Sequence, residues 1–293
     1  MANTDRKHVL LVGKEYVVGR KDCDIQVEGD KAVSRRHSLL TVTHPEANLG
    51  HPHRVPELQL KDVSKFGTFV NKERLEDNRT TVNLKDGDEV VFGSPTSSFM
   101  AVYEPFVITS SCLDNNSKKT IRSQLLTLGG HMVNEWRKDC SLLVMNSISV
   151  TIKVICALIS LKPVVKPNYL ERYIQYLKGE AREPKIDMYL PELVETQLDP
   201  ASVTFGKDPK RQTIFQGMKF IFLNPKQFKK MSLAIELAGG TPVLMEEGCD
   251  SDDDRVLVEP NTVVMNCNPE DQTQNLSQNG RDWVQHVHTY LKK

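Results

Sequence analysis

The chain has 293 residues, enough for two or three domains, and 39% of them are apolar. Lysine plus arginine and aspartate plus glutamate each number 38, so the formal net charge is zero. Because direct nucleic-acid binders usually carry a basic excess, we expect no direct nucleic-acid partner. The six cysteines form no CxxC pair and none has zinc-finger spacing, which favours reduced thiols of an intracellular protein without a metal site.

Residues 7–104 consist of short β-type runs separated by turns, and helical periodicity is absent from them. The runs are HVLLV, EYVVG, DIQVE, HSLLTVT, ELQLKD, GTFVN, TTVNL, DEVVFG and SFMAVYE. Many short strands at this spacing predict a β-sandwich. Residues 43–56 are rich in proline, histidine and glycine, and we predict that they form a long loop.

Near Pro105 the pattern changes to alternating strands and helices. A strand-like run at 106–109 precedes an amphipathic run that places Ile121, Leu125 and Leu128 on one face, and a glycine pair at 129–130 ends it. A second amphipathic run holds Ile152, Ile155 and Ile159, and a third follows Pro167. The most apolar stretch, 142–159, contains too many polar residues to be a membrane helix.

Residues 182–212 contain four prolines and little periodicity, and they are predicted to be a linker. The strand–helix pattern then returns, with a predicted helix at 228–238 that another glycine pair ends. The segments LLTLGGHMV and SLLVMN match IELAGGTPV and NTVVMN, which indicates a diverged internal repeat. The gap between the glycine pair and the second strand is ten residues longer in the second copy, and this insertion holds an acidic run at 250–254 that is predicted to be a solvated loop.

The first region carries side chains suited to a phosphate group. Loops at one end of a sandwich can bring their side chains into one site. Arg20 and Arg35 can donate bidentate hydrogen bonds, the Ser34 hydroxyl adds a short donor, and Lys65 adds a point charge. Each charged hydrogen bond contributes about 1.5–3 kcal/mol, so a few of them suffice for micromolar binding of a peptide.

The order GR, SRRH and GTFVN resembles the forkhead-associated family, a β-sandwich whose strand-end loops bind phosphothreonine. The resemblance implies that Arg20 and Ser34 contact the phosphate and that Arg35 lies beside them. It implies peptide contact or loop support for His37, Phe66, Gly67, Thr68 and Asn71. Phe66 stands where many members have the asparagine that holds the ligand backbone, so this backbone contact is in question. Any one of these basic residues alone is typical of an ordinary β-turn surface, and only their combined order favours the site.

The two α/β units resemble BRCT repeats through the FVITS strand, the glycine pair and the TIK helix. For the first repeat, the resemblance implies a phosphoserine site made by Ser111, the N–H of Cys112 and Lys153, with Thr151 nearby. The alternative is that Ser111 is a helix N-cap and Lys153 faces solvent. In the second repeat Asn224 and Pro225 replace the Ser-x pair, and proline has no N–H to donate. We therefore expect the second repeat to pack on the first, with Trp283 in its core.

The fold class predicted is multidomain: an all-β sandwich followed by two α/β BRCT repeats with central parallel sheets. The predicted boundaries are a forkhead-associated domain at 1–104, a first repeat at 105–181, a linker at 182–212 and a second repeat at 213–293.

This domain order, with EYVVGRKDCDI, SKFGTFVN, VTIKVICALI and KFIFLNPKQFKK, resembles the adaptor subunits of a nuclease–ATPase complex that handles DNA double-strand breaks. The resemblance implies a non-catalytic protein without cofactor, metal or membrane contact, located in the nucleus at chromosomal break sites. It implies phosphorylated repair and chromatin adaptor proteins as partners, bound at acidic Ser-Asp-Thr motifs. It also implies a longer protein whose C-terminal tail, absent here, binds the nuclease and ATPase subunits and a checkpoint kinase.

Two other classes of function compete with this interpretation. The sequence has neither the GxxxxGK[ST] loop of an ATPase nor the GxSxG elbow of a hydrolase, so no enzyme is predicted. The alternative function is a phospho-independent scaffold or a module that binds DNA ends.

Overall fold

The computed structural model describes residues 7–75, 81–196, 203–248, 254–267 and 276–292. They form two compact units: Met1–Asn146 with Val165–Pro191, and Ser147–Val164 with Glu192–Lys293. Most of the acidic run at 250–254, and thus the predicted loop, lies outside the described residues. No helix in the described part of the chain is long and apolar enough to cross a membrane.

The first unit begins with a sandwich of two sheets. Its strands are β1 Glu15–Gly19, β2 Ile25–Gln26, β3 Ser38–Thr43, β4 Glu57–Asp62, β5 Thr68–Val70, β6 Glu73–Arg74, β7 Thr81–Leu84, β8 Glu89–Phe92 and β9 Ser98–Met100. One sheet has the order β2-β1-β3-β4-β7 and the other β6-β5-β8-β9. All pairings are antiparallel except that of β1 with β2. The predicted sandwich is confirmed.

Alternating apolar residues of both sheets meet in one core. Val18 of β1 and Leu60 of β4 are fully buried there with Val90 and Phe92 of β8. Because side chains along a strand point alternately to the two faces, the EYVVG and EVVF runs each bury every second residue, which selects their register.

The predicted strand HVLLV is wrong. Residues 8–12, which make up this run, form no strand, and the N–H groups of Leu11 and Val12 donate to other partners. The Leu11 N–H donates to the Tyr16 hydroxyl at 2.8 Å, and the next N–H, of Val12, donates to the Thr127 carbonyl at 2.9 Å.

The first repeat begins in the same unit with β10 Val107–Ser110, α1 Asn115–Leu128, β11 His131–Val133 and β12 Cys140–Val144, and it continues to β14 Val164–Val165 and α3 Asn168–Leu177. Its sheet has the order β11-β10-β12-β14, and β10 runs parallel to both neighbours. As predicted, Ile121 and Leu125 of α1 are buried against it. Gly129 ends the helix at a φ of 69°, in the left-handed region that favours glycine.

The predicted loop at 43–56 joins the sandwich to this repeat. It has a single 3₁₀ turn at Glu46–Asn48, and the next side chain, Leu49, is fully buried in the core of the repeat. The Leu49 carbonyl accepts a hydrogen bond from the Met132 N–H at 2.9 Å. The loop therefore connects two strands of the sandwich, while its Leu49 side chain packs in the core of the repeat.

Two buried histidines complete this junction within the first unit. The Nε2–H of His44 donates to the Gly130 carbonyl at 3.0 Å, and the Nδ1–H of His131 donates to the Asn48 carbonyl at 3.0 Å. Burial lowers the pKa of both rings, and the rings meet edge to face at 4.9 Å. These contacts hold the loop against the repeat.

The second unit contains the remaining part of the first repeat, β13 Ser147–Ile148 and α2 Ile152–Ile159, and the whole second repeat. In α2 the predicted apolar face is partly wrong, because Ile155 is exposed whereas Val154, Cys156 and Ala157 are buried. The predicted linker holds β15 Glu192–Leu193, which pairs parallel with β13, and 3₁₀ turns at Ile186–Tyr189, in the first unit, and Pro209–Thr213.

The second repeat comprises β16 Lys219–Phe222, α4 Pro225–Leu237, β17 Thr241–Leu244, β18 Thr262–Met265 and α5 Gln278–Tyr290. The sheet order is β17-β16-β18, all parallel. Helix α4 packs against α2, so the second repeat contacts the first through this pair of helices, as predicted. Trp283 of α5 packs against the core, and its indole N–H donates to the Met245 carbonyl at 3.0 Å.

We predict that Leu49→Ala destabilises the first unit by about 2–5 kcal/mol, because truncating a fully buried leucine leaves a cavity. Denaturant unfolding of the chain checks this. Val55→Ala is the matched control, since Val55 lies in the same loop but is 48% exposed, and it should change the free energy of unfolding by less than about 0.5 kcal/mol. Equal effects of the two substitutions would contradict the packing of Leu49.

Candidate functional site

A close approach of two loops creates the candidate site at one end of the sandwich. Gly19 ends β1, and a Cβ on it would lie 1.9 Å from the Arg35 carbonyl oxygen, so only glycine allows this contact. The Arg20 N–H donates to the Ser34 carbonyl at 3.0 Å. The predicted Arg20, Ser34 and Arg35 therefore lie together.

His37 links this pair of loops to a third segment. It is completely buried, its Nδ1 accepts the Ser34 N–H at 3.1 Å, and its Nε2 lies 3.2 Å from the Gly67 carbonyl oxygen. Because Nδ1 accepts a hydrogen bond and the Gly67 carbonyl can only accept one, the single ring proton lies on Nε2. From there it is donated to the Gly67 carbonyl. Burial lowers the pKa of His37, so the ring is neutral near pH 7 and joins the two backbone segments.

The third segment is the turn before β5, and a buried carboxylate organises it. Asp62 accepts hydrogen bonds from the N–H groups of Ser64 and Thr68 at 2.9 and 3.2 Å and from the Thr68 hydroxyl at 3.0 Å. The Ser64 hydroxyl accepts the Gly67 N–H at 2.8 Å. Thr68 and Gly67 thus support the turn, and the Gly67 φ of 92° favours glycine.

Lys65 and Phe66 lie at the exposed tip of this turn. The Lys65 N–H donates to the Ser34 hydroxyl oxygen at 3.3 Å, which brings the turn beside the other two loops. The Phe66 side chain is 60% exposed, so it provides an apolar surface where an asparagine would provide hydrogen bonds.

Asn71 supports a neighbouring hairpin. Its side-chain amide donates to Asp88 at 2.8 Å, and its side-chain oxygen accepts the Glu89 N–H at 3.0 Å. Peptide contact and loop support are the two roles predicted for Asn71, and these contacts correspond to loop support.

The cations at the site differ in their ion pairing from the neighbouring Arg36. Arg20, Arg35 and Lys65 are exposed, and no carboxylate among the described residues pairs with them. In contrast, Arg36 pairs with Glu15 at 3.0 Å. Three unpaired cations at one end of a domain favour an anionic ligand.

Asp30 is a supporting residue that sequence reasoning missed. Burial raises the pKa of its carboxyl, but hydrogen bonds from the Ser94 and Ser97 hydroxyls and from the Ala32 and Ser94 N–H groups outweigh burial and lower the pKa to about 2. It thereby fixes the segment that leads into Ser34. Its bond to the N–H two residues ahead is an Asx-turn, the signal that could have identified it in the sequence.

The residues predicted for a phosphoserine site lie in two different units. Ser111 and Cys112 follow β10 in the first unit, where the Ser111 N–H donates to the Val144 carbonyl at 3.1 Å and Cys112 has a φ of 52°. Asp114, not Ser111, is the N-cap of α1, because its carboxylate accepts the Ser117 N–H at 2.8 Å. In the second unit Thr151 is the N-cap of α2, and the half-buried Lys153 lies in its first turn.

Asn224 and Pro225 of the second repeat have structural roles. The buried Asn224 side chain caps α4 by accepting the Lys226 and Gln227 N–H groups at 2.8 and 3.3 Å. Pro225 takes the first helical position, where a missing N–H costs nothing.

Comparison with known families agrees with this fold. Residues 16–93 match the model of the FHA domain, and residues 209–293 match that of the second BRCT domain on Nijmegen syndrome breakage protein. Two solved structures share the architecture, the S. pombe Nbs1-Ctp1 complex and the S. pombe Nbs1 FHA-BRCT1-BRCT2 domains. Their TM-scores are 0.63 and 0.59 at 20% identity, over 97% of this chain and 93% and 94% of those chains.

Curated relatives extend the match along the chain. Nibrin from Rattus norvegicus is 37% identical over 97% of the chain, and nibrin from Mus musculus is 42% identical over 81%. Nibrin from Gallus gallus is 37% identical over 97%. The chain spans 38%, 32% and 37% of the length of these three relatives.

The fold and the site define a modular protein with a forkhead-associated domain followed by tandem BRCT repeats, both of which are non-catalytic adaptor domains. Within this class, the chain belongs to the nibrin family.

We predict that His37 titrates below its ordinary pKa of 6.5, because burial disfavours the charged ring and protonated Nδ1 could no longer accept the Ser34 N–H. The folded-state pKa is depressed, so its stabilising contribution is complete above pH 6.5 and is lost as the pH falls toward the folded pKa. NMR titration of the ring, assigned with a His37→Gln variant, checks this. A midpoint at or above 6.5 would contradict the assigned proton position.

Proposed function

We propose that this chain is a non-catalytic phosphopeptide-binding adaptor in the DNA double-strand-break response. Its forkhead-associated domain binds phosphothreonine through Arg20, Ser34, Arg35 and Lys65. The observation that carries the proposal is that the segments bearing these residues meet on loops that the buried His37 holds together, while the three cations have no ion-pair partner among the described residues.

The chemistry of the ligand fits this arrangement. A phosphothreonine carries a charge of about −1.5 to −2 near pH 7 and three strong acceptor oxygens. Two guanidinium groups, one ammonium group and one hydroxyl supply donors for these oxygens. Since the loops are already fixed by His37, Asp30 and Asp62, binding orders mainly the exposed side chains, which limits its entropic cost.

The proposal extends to the rest of the molecule. The first repeat, taken as 105–181, binds phosphoserine through Ser111, the Cys112 N–H and Lys153, with Thr151 capping the helix that carries Lys153. The second repeat, 213–293, follows a linker at 182–212 and supports the first repeat through helix packing. The forkhead-associated domain spans 1–104.

The proposed partners follow from membership of the nibrin family. They are phosphorylated repair and chromatin adaptor proteins, bound at acidic Ser-Asp-Thr motifs in the nucleus at chromosomal breaks. In the longer family members, the nuclease and ATPase subunits and a checkpoint kinase bind a C-terminal tail. A phospho-independent scaffold or DNA-end binder is the rival function, and the zero net charge of the chain counts against DNA.

We predict that Arg20→Ala weakens binding of a phosphothreonine peptide by roughly 10- to 100-fold, because it removes one group that donates charge-assisted hydrogen bonds. Isothermal titration of the whole chain measures the dissociation constant. Arg36→Ala is the matched control, because Arg36 lies in the same SRRH segment but pairs with Glu15, and it should leave affinity within about twofold.

The same titration with an unphosphorylated peptide separates the proposal from its rival. We expect no measurable binding of that peptide. Equal affinity for both peptides, or unchanged binding by a folded Arg20→Ala protein, would refute phosphothreonine recognition. Binding to bare duplex DNA that weakens steeply with added salt would favour the DNA-end function.

A separate prediction concerns the first repeat. Lys153→Met should weaken a phosphoserine peptide by about tenfold, because the substitution removes a cation and keeps an apolar side chain of similar length. Lys178→Met, at the exposed end of α3, is the control and should have no effect. Indistinguishable affinities of the two variants would favour Lys153 as an ordinary helix residue.

A further inference from the structure

A serine–proline pair lies in the turn between β8 and β9 of the sandwich. Ser94 is half-buried, whereas Pro95 and the next residue, Thr96, are exposed. The Ser97 N–H donates to the Ser94 carbonyl at 2.9 Å, so residues 94–97 form a β-turn with proline at its second position. Proline-directed protein kinases transfer phosphate to a serine that proline follows, and this turn presents such a pair at the surface of the domain.

The Ser94 hydroxyl is bound to the segment that leads into the candidate site. It donates to the Asp30 carboxylate at 2.6 Å, and the Ser94 N–H donates to the same oxygen at 3.1 Å. The Ser97 hydroxyl and the Ala32 N–H donate to this carboxylate at 2.7 and 2.8 Å. Burial raises the pKa of Asp30, but these bonds outweigh burial and lower the pKa to about 2, so the carboxylate is charged near pH 7.

The turn also packs against the backbone just before Ser34. The position that a Cβ on Gly93 would take is 2.9 Å from the Ala32 carbonyl carbon and 3.1 Å from the Val33 nitrogen. Val33 is buried in the sandwich core and immediately precedes Ser34. The turn is therefore in close backbone contact with the segment that places Ser34, and a bulky group between them has to displace one of the two.

We propose that Ser94 is a phosphorylation site whose modification weakens phosphothreonine binding by this domain. The inference rests on the proposed function, since it concerns the regulation of that site. ATP is the phosphate donor and a proline-directed protein kinase is the catalyst. The Ser94 hydroxyl oxygen forms a bond to the γ-phosphorus of ATP, the bond from that phosphorus to the β–γ bridging oxygen breaks, ADP leaves, and the hydroxyl proton passes to a base of the kinase.

Phosphorylation changes both the hydrogen bonding and the charge of the turn. The Ser94 oxygen loses the proton that it donates to Asp30, and the new group brings a charge of about −1.5 to −2 near pH 7. The phosphate is attached to an atom 2.6 Å from an ionised carboxylate, so the two anions repel one another. The turn then separates from the segment at 30–33, and Ser34 loses its fixed position in the site.

The first experiment asks whether the folded chain accepts phosphate at this position. The whole chain is incubated with ATP and a cyclin-dependent kinase, which is proline-directed, and mass spectrometry locates the phosphate. We expect modification of Ser94, and Pro95→Ala should largely abolish it. A synthetic peptide of residues 88–100 is the control for kinase activity on this motif. Modification of the peptide but not of the folded chain would overturn the proposal.

The second experiment measures the effect on binding by isothermal titration with a phosphothreonine peptide. A chain with phosphoserine installed at position 94 by codon suppression should bind about tenfold more weakly than the unmodified chain. Ser94→Ala should stay within about threefold, because it removes one of several donors to Asp30 and adds no charge. Thr96→Asp is the matched control, since it adds a carboxylate to the exposed part of the same turn without replacing a donor to Asp30, and it should stay within about twofold.

Three results of the titration would overturn the regulatory role. They are equal affinities of the phosphorylated and unmodified chains, an equal loss in Thr96→Asp, and a loss that accompanies unfolding of the whole sandwich, which thermal unfolding detects. In all three the unmodified chain still binds phosphothreonine, and the proposed function survives. Failure of the unmodified chain to bind the phosphothreonine peptide would instead refute the proposed function, and this inference with it.

Discussion

One buried imidazole holds the candidate site together. His37 accepts a hydrogen bond from one loop and donates one to another, and it can do both only as the neutral tautomer with its proton on Nε2. A lysine or arginine at this position has no acceptor, and a carboxylate has no donor in its charged form. A neutral histidine supplies one acceptor and one donor in fixed positions on a rigid ring. This requirement explains why histidine lies between the two basic loops, where it adds no charge.

The site combines an unfavourable charge distribution with a rigid framework. Arg20, Arg35 and Lys65 repel one another in the free protein and have no internal acidic partner among the described residues. The nearby carboxylates of Asp30 and Asp62 accept hydrogen bonds from backbone N–H and hydroxyl groups instead. The negative charges thus fix the loops, and the positive charges face solvent. A ligand with concentrated negative charge relieves the repulsion that the fold leaves in place.

The sequence predicted the local elements better than the contacts between them. The alternating runs of the sandwich and the helix that carries Ile121 follow from periodicity and from the glycine that ends the helix, and the structure confirms them. HVLLV has the composition of a strand, but strand formation needs a neighbouring strand with free hydrogen-bonding groups. Hydrophobic pattern alone does not record that requirement.

In the candidate site, too, the local motifs could be predicted from the sequence, whereas the long-range contacts could not. The GR, SRRH and GTFVN motifs name residues that the structure brings together, while their roles in binding stay predictions. Asp30 escaped the sequence analysis because its partners Ser94 and Ser97 are more than sixty positions away in the chain. Such contacts arise from tertiary structure, which spacing within a motif does not encode.

The burial of Leu49 affects how this molecule can be divided experimentally. A deletion of the sandwich also removes a side chain from the core of the first repeat, together with the Asn48 and Leu49 carbonyls that the repeat uses as acceptors. A fragment that begins at residue 105 therefore exposes apolar surface and leaves buried donors without partners. Loss of activity in such a truncated protein would reflect a damaged repeat as much as a missing phosphothreonine site, so point substitutions in the exposed loops are the cleaner way to assign function to each domain.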